Sequence, residues 1–169
     1  MIKQVILFFT LILFIGCSSI VNKSEVTLPK NKKYAISSFW NYTDTAMAGF
    51  RASTIVEGVL SHKGIKLYSL IGSASEMENI KNKSNFISQK KEEAKRLGAS
   101  YLITGDVQEW SYKSGIDAEP VVSYTLKIVD LKTDKIIFTA VGAKSGWGHK
   151  SIGVIAQEIA ESIIPKFVN

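Results

Sequence analysis

The chain has 169 residues, 46% of them hydrophobic, and a formal charge of +6. A single cysteine excludes an intramolecular disulfide, and two histidines far apart in sequence give a zinc centre no support. With the first sixteen residues set aside, what remains is one ordinary domain's worth of chain. It can bury a core without metal or disulfide, and it has no room for a second domain.

Lys3 precedes an apolar run over residues 5–15, and Leu13-Phe14-Ile15-Gly16-Cys17 closes it. This pattern resembles a bacterial lipoprotein signal peptide over residues 1–16, with Phe14 departing from the Leu, Val or Ile usual at its place. The run is too short for the ~30 Å hydrocarbon layer, which disfavours an uncleaved membrane anchor. Cys17 is then the lipidation site. At about 0.8 kcal/mol per buried methylene, two or three acyl chains hold the protein to the bilayer permanently. Ser18 stands where an aspartate would favour inner-membrane retention, so the outer membrane is expected.

Residues 17–33 read as a lipid-anchored flexible tether, because Asn22, Lys23, Ser24, Pro29, Lys30 and Asn31 follow neither helical nor strand period. Such a coil spans about 20–25 Å. The single folded domain is expected over residues 34–169. Residues 34–40 suit a buried strand, followed by the loop Asn41-Tyr42-Thr43-Asp44-Thr45. Ala52, Ile55, Val56, Val59 and Leu60 mark one face of a helix, with Asp44 or Thr45 as cap and Gly64 at its end.

Residues 65–71 are a second strand candidate, and residues 72–85 lose all periodicity. A charged helix follows over 86–97, closed by Gly98, then strands over 100–112, 121–131 and 135–143. The middle one alternates Val122, Tyr124, Leu126 and Ile128 against Ser123, Thr125 and Lys127. Residues 130–134 make a hairpin. The last helix uses Ile152, Ile155, Ala156, Ile159, Ile163 and Phe167 as its buried stripe, with Ser151 as cap and Pro165 in its last turn. The order β-α-β-α-β-β-β-α predicts an α+β sandwich, a mixed sheet with helices on one face and a fairly polar opposite face.

Loss of Lys3 with the leader takes the charge from +6 to +5, and the surplus lies largely in residues 81–96. An exported, tethered protein does not meet nucleic acid, so that segment suits a solvated helix face, anionic lipid or a neighbouring subunit. Residues 142–151 are glycine-rich, but a phosphate loop needs glycine before Lys150, where His149 stands. No Gly-x-Ser-x-Gly elbow occurs. Asp106, Glu109, Asp117 and Glu119 would serve a glycosidase only if two approached across a cleft. Asp106 and Glu109 read more simply as solvated acids on strands.

Asp117 and Glu119 lie in an interstrand loop with Ser114, Gly115, Ile116 and Pro120. If copies of the chain close into a ring, one exposed acid per copy becomes a circle of like charge that selects cations. Trp147, flanked by Gly146 and Gly148, suits a membrane–water interface. The alternative is a lid folded back over the last helix.

The segment Trp40–Ala52, the strand Gly98-Ala99-Ser100-Tyr101-Leu102-Ile103-Thr104-Gly105 and the stretch Gly142-Ala143-Lys144-Ser145-Gly146-Trp147 resemble the PelC family, outer-membrane lipoproteins of Pel exopolysaccharide export. The wider group it resembles includes the curli secretion lipoprotein and the lipoprotein activator of a peptidoglycan synthase. The resemblance implies a non-enzymatic, cofactor-free protein. It forms a dodecameric ring on the periplasmic face of the outer membrane, beneath a β-barrel exporter with periplasmic repeats. An electronegative pore guides a cationic amino-sugar polymer for the biofilm matrix. By the same resemblance Asp117 is the pore acid, Glu119 its helper, Trp147 the membrane-facing aromatic and Cys17 the lipid anchor. A periplasmic adaptor that activates a cell-wall synthase is the competing expectation.

Overall fold

The computed structural model describes residues 19–73, 82–114, 118–147 and 149–169. In chain order it has β1 (Ser19–Lys23), β2 (Thr27–Pro29), β3 (Tyr34–Ser37), β4 (Trp40–Asn41), α1 (Ala48–His62), β5 (Leu67–Leu70) and α2 (Lys83–Arg96). These are followed by β6 (Tyr101–Tyr112), β7 (Pro120–Asp130), β8 (Lys135–Ser145), α3 (Ile152–Ile163) and β9 (Lys166–Val168). The main sheet has the order β1-β8-β7-β6-β3-β5, with β4 also beside β6. β3 is parallel to β5 and β6, and the β6-β7-β8-β1 side is antiparallel.

The α+β sandwich forms on the expected periodicities. Val122, Tyr124, Leu126 and Ile128 of β7 bury with Ile103 and Phe138 beneath Ala52, Val56 and Leu60 of α1 and Ile155, Ala156, Ile159 and Ile163 of α3. The Tyr124 hydroxyl donates to the Ala156 carbonyl at 2.7 Å, which satisfies it inside this core.

The helices divide between the two faces rather than sharing one. Ala94 of α2 packs with Ala35, Leu70, Leu102, Val129 and Leu131 on the side away from α1 and α3. Connection handedness explains this. The crossover from β3 to β5 runs outward, and the crossover from β5 to β6 runs back across β3. Two right-handed crossovers in opposite directions lie on opposite faces.

The stretch expected as coil is instead built into the sheet. β1 runs antiparallel to β8, from Ser19 opposite Lys144 to Lys23 opposite Ala140, and covers an edge that would otherwise leave a row of unpaired backbone groups. β2 pairs with β9 in a separate two-stranded sheet. Tyr34 joins that pair to the core. Its hydroxyl donates to the Pro29 carbonyl at 2.8 Å, and its ring lies against Tyr101 and Phe167, 5.0 and 5.5 Å between centroids.

Element ends follow local chemistry, with some corrections. Gly64 and Gly98 close α1 and α2 with positive φ, as expected. Neither Asp44 nor Thr45 caps α1, whose N-cap is Met47 at φ 62 with no side-chain cap. The Thr45 hydroxyl instead donates to the Trp110 carbonyl at 2.6 Å, and the Asn41 amide donates to the Thr45 carbonyl at 2.8 Å. The loop is thereby fixed to β6. α2 begins before residue 86 because Asn82 caps it, accepting from the Asn85 N–H at 3.0 Å. Ser151 caps α3 as expected. α3 stops at Ile163, since Pro165 forces Ile164 to an extended ψ of 134°, and Phe167 packs from β9 rather than from the helix.

Candidate functional site at the Trp147 end of the sheet

The antiparallel register decides which groups share an end. Ser19 lies opposite Lys144, Val121 opposite Ser145 and Tyr112 opposite Pro120. The start of β1, the β6–β7 turn and the loop from β8 to α3 therefore emerge together. The last two touch, because the Gly146 N–H donates to the Pro120 carbonyl at 2.8 Å.

The loop that carries Trp147 is held from both sides. Beneath it, a Cβ at position 146 would sit 2.6 Å from Ile155 Cδ1 and 3.2 Å from Pro120 Cγ, so with any other residue the Ile155 side chain must shift to let the loop lie this close to α3. Lys144 and Lys150, at the loop's two ends, each place Nζ 2.8 Å from a carboxylate oxygen of Glu158 on α3. Hydrogen bonds from Lys144, then from Lys150, hold the Glu158 carboxyl below its ordinary range against a burial effect of opposite sign. Trp147 itself keeps 49% of its surface exposed and does not close over α3 as a lid.

Tyr112, 51% exposed, lies at the same end, and its hydroxyl accepts a hydrogen bond from the Ile152 N–H at 3.3 Å. Val154 on the first turn of α3 adds a third exposed apolar side chain. Sequence reasoning singled out Trp147 and missed Tyr112 and Glu158. The signals present were an aromatic at the last position of a strand and two lysines bracketing a glycine-rich loop.

Glu119 lies in the β6–β7 turn, as its sequence context suggests, but it is paired. Lys113 Nζ stands 3.0 Å from its carboxylate, and the Lys113 N–H donates to its backbone carbonyl at 2.8 Å. Asp117 and Cys17 lie outside the described residues. Ser114 and Ala118, the described residues on either side of positions 115–117, lie at this same end, and Cys17 precedes Ser19 by two residues in the sequence.

The carboxylates weighed for glycan cleavage do not meet across a cleft among the described residues. Asp106 is buried rather than solvated, bonded to both Lys83 and Lys127. Glu109 is exposed beyond a bulge in β6, and Glu119 is taken by Lys113. Among the described residues no group of three or more His, Cys, Asp or Glu side chains could hold a metal ion. No described helix is long and apolar enough to cross a membrane.

No protein-family model matches the chain, and a search of curated proteins finds no match. Solved structures do match. The PelC dodecamer from Paraburkholderia phytofirmans is similar at a TM-score of 0.72 and 27% identity, over 86% of this chain and 94% of that one. A single-substitution variant of that PelC dodecamer, in a second crystal form, gives a TM-score of 0.73 and 29% identity over 86% and 95% of the two chains. Lipoprotein GNA1162 from Neisseria meningitidis shares the fold alone, with a TM-score of 0.59 and 11% identity over 78% and 94%. This chain therefore has the PelC-like lipoprotein fold that its sequence motifs implied.

Proposed function

We propose that this protein is a lipid-anchored subunit of a periplasmic ring at the outer membrane. The ring passes a cationic exopolysaccharide, Pel-like in chemistry, to a β-barrel exporter for the biofilm matrix. The subunit performs no reaction of its own. The likeness to PelC dodecamers supports ring assembly. The observation that supports the reading is the shared end: register brings the start of β1, the end of β6, the start of β7 and the Trp147 loop to one pole. Acyl chains on Cys17, with Trp147 and Tyr112 in the headgroup layer, would seat that pole on the bilayer.

In this reading the Asp117 carboxylates form the acidic circle. Glu119 contributes less, because Lys113 already offsets its charge. A circle of acids focuses a negative potential and draws a polycation through. A monomeric adaptor on a long tether fits less well, since β1 takes up the slack that such a tether needs.

The test is Asp117→Ala in the complete export system. Assembly, read by light scattering of the purified ring, is expected to persist while secreted polysaccharide falls. Secretion at the parental level would remove the pore role.

A further inference from the structure

The pole of the sheet away from Trp147 holds a second, oppositely specialised surface. β3 and β6 begin there, β7 ends there, and α1 and α2 run back to it between parallel strands. Lys32, Lys33, Lys66, Lys95, Arg96 and Lys132 gather on this pole, all exposed. Its carboxylates are already engaged. Asp130 Oδ1 accepts from the N–H groups of Lys132 and Thr133, at 2.8 and 3.2 Å. Asp134 pairs with Lys91 at 2.7 Å and Glu92 with Lys95 at 2.8 Å. Among the described residues, Lys32, Lys33, Lys66 and Lys132 have no carboxylate partner.

A groove of about 410 Å³ opens on this pole, lined by Lys32, Lys95 and Lys132, by Tyr101 and Leu131, and by Asp130, whose Oδ1 is turned to the backbone N–H groups of Lys132 and Thr133. With Lys95 paired to Glu92, the Lys32 and Lys132 ammonium groups outnumber the one Asp130 carboxylate there and raise the groove's positive potential, which an arriving carboxylate relieves. We propose that this groove docks an acidic segment of a partner protein. Carboxylates meet Lys32 and Lys132, and an apolar side chain meets the half-buried Tyr101 ring.

Two observations choose this occupant. β8 is 11 residues long, so the basic pole lies about 35 Å along the sheet from Ser19 and its nearby lipid anchor. With a Debye length of about 8 Å at physiological salt, that distance puts an anionic bilayer out of electrostatic reach. The part-exposed Tyr101 ring in the lining also fits a peptide with apolar side chains better than it fits a bare anion. The inference rests on the proposed lipid anchor at Cys17 but requires neither ring closure nor a particular cargo.

The probe is a fluorescein-labelled acidic peptide of alternating glutamate and leucine, followed by anisotropy with the mature protein at low salt. The double variant Lys32→Glu/Lys132→Glu is expected to weaken binding by about tenfold or more. Arg51→Glu, an exposed site at the opposite pole, is expected to change it by less than about twofold. An unchanged melting curve for the neutral pair Lys32→Gln/Lys132→Gln shows that the fold does not depend on these charges. Equal weakening by both charge reversals would reduce the effect to the net charge of a basic protein. Loss of binding to anionic vesicles, with peptide binding intact, would assign the pole to lipid instead. Either result overturns the proposal.

Discussion

Asp106→Ala is expected to lower stability by about 2–3 kcal/mol and the melting temperature by about 5–10 °C. Asp106 is 4% exposed on β6, and its carboxylate bridges two cations from different elements. Lys83, the first residue of α2, binds one oxygen, and Lys127 of β7 places Nζ 2.6 Å from the other. Lys83 also donates to the Tyr42 hydroxyl at 3.1 Å and sits 5.0 Å from that ring's centroid. Burial opposes its charge, but hydrogen bonds to Asp106 and Tyr42 outweigh this, and its ammonium is held above the ordinary range.

Removing the carboxylate leaves two cations over a nearly dry patch of sheet. Breaking a fully buried pair costs about 3–5 kcal/mol. The side chains of Lys83 and Lys127 keep 33% and 30% of their surface in water, so both can turn outward and the cost falls below that range. Lys83→Met or Lys127→Met alone is expected to cost about 1 kcal/mol or less, since one cation still satisfies Asp106. Replacing all three by apolar residues should recover much of the loss, because the desolvation cost then disappears with the charges. Urea melts of these variants give the comparison. Parental stability for Asp106→Ala would mean that the carboxylate carries no net interaction.

The contrast between Asp106 and Glu109 shows where sequence patterning reaches its limit. Both are acids on one strand, and alternation reports only the face a residue occupies. The partners of Asp106 are 23 and 21 residues away, on a helix and on a neighbouring strand. α1 and α3 were legible because each buries one face, so period 3.6 is written in apolar residues, and β7 because Val122, Tyr124, Leu126 and Ile128 alternate with Ser123, Thr125 and Lys127, although its other face also buries Val121, Thr125 and Val129. β1 carries no such signal. All five of its residues are exposed, and pairing with β8 rather than burial makes it a strand.

α2 was legible as a helix but not as to its face, which the direction of a crossover sets. The same division runs through the candidate site. Flanking glycines mark Trp147 as a loop residue in sequence. What ties the two ends of its loop to α3 is Glu158, eight residues beyond Lys150 and known as its partner only once α3 is packed.

The exposed indole on this tied loop gives the second large effect. For the mature chain carrying Cys17→Ser, where no acyl chain masks the contribution, Trp147→Ala is expected to weaken partition onto outer-membrane-like vesicles by about ten- to a hundredfold. This corresponds to about 1.5–3 kcal/mol for withdrawing an aromatic side chain from an apolar layer. Glu158→Gln should weaken partition by only about fivefold: the indole remains, but a loop freed from Lys144 and Lys150 must be reordered at a cost of about 1 kcal/mol.

The pH dependence has a definite sign. Glu158 is held below its ordinary value by the two lysines. Its contribution is therefore complete above the unfolded glutamate pKa of about 4.3 and is lost as pH falls through the lower folded value. Partition of the parent should stay level from pH 8 to about 5 and drop below about 4, a step that Glu158→Gln lacks. Full partition by Glu158→Gln, with the loss for Trp147→Ala intact, would leave packing of Gly146 under Ile155 as what holds the loop. Unchanged partition by Trp147→Ala would end the membrane role of this pole, because neither Tyr112 nor Val154 projects from a loop held in place for that purpose.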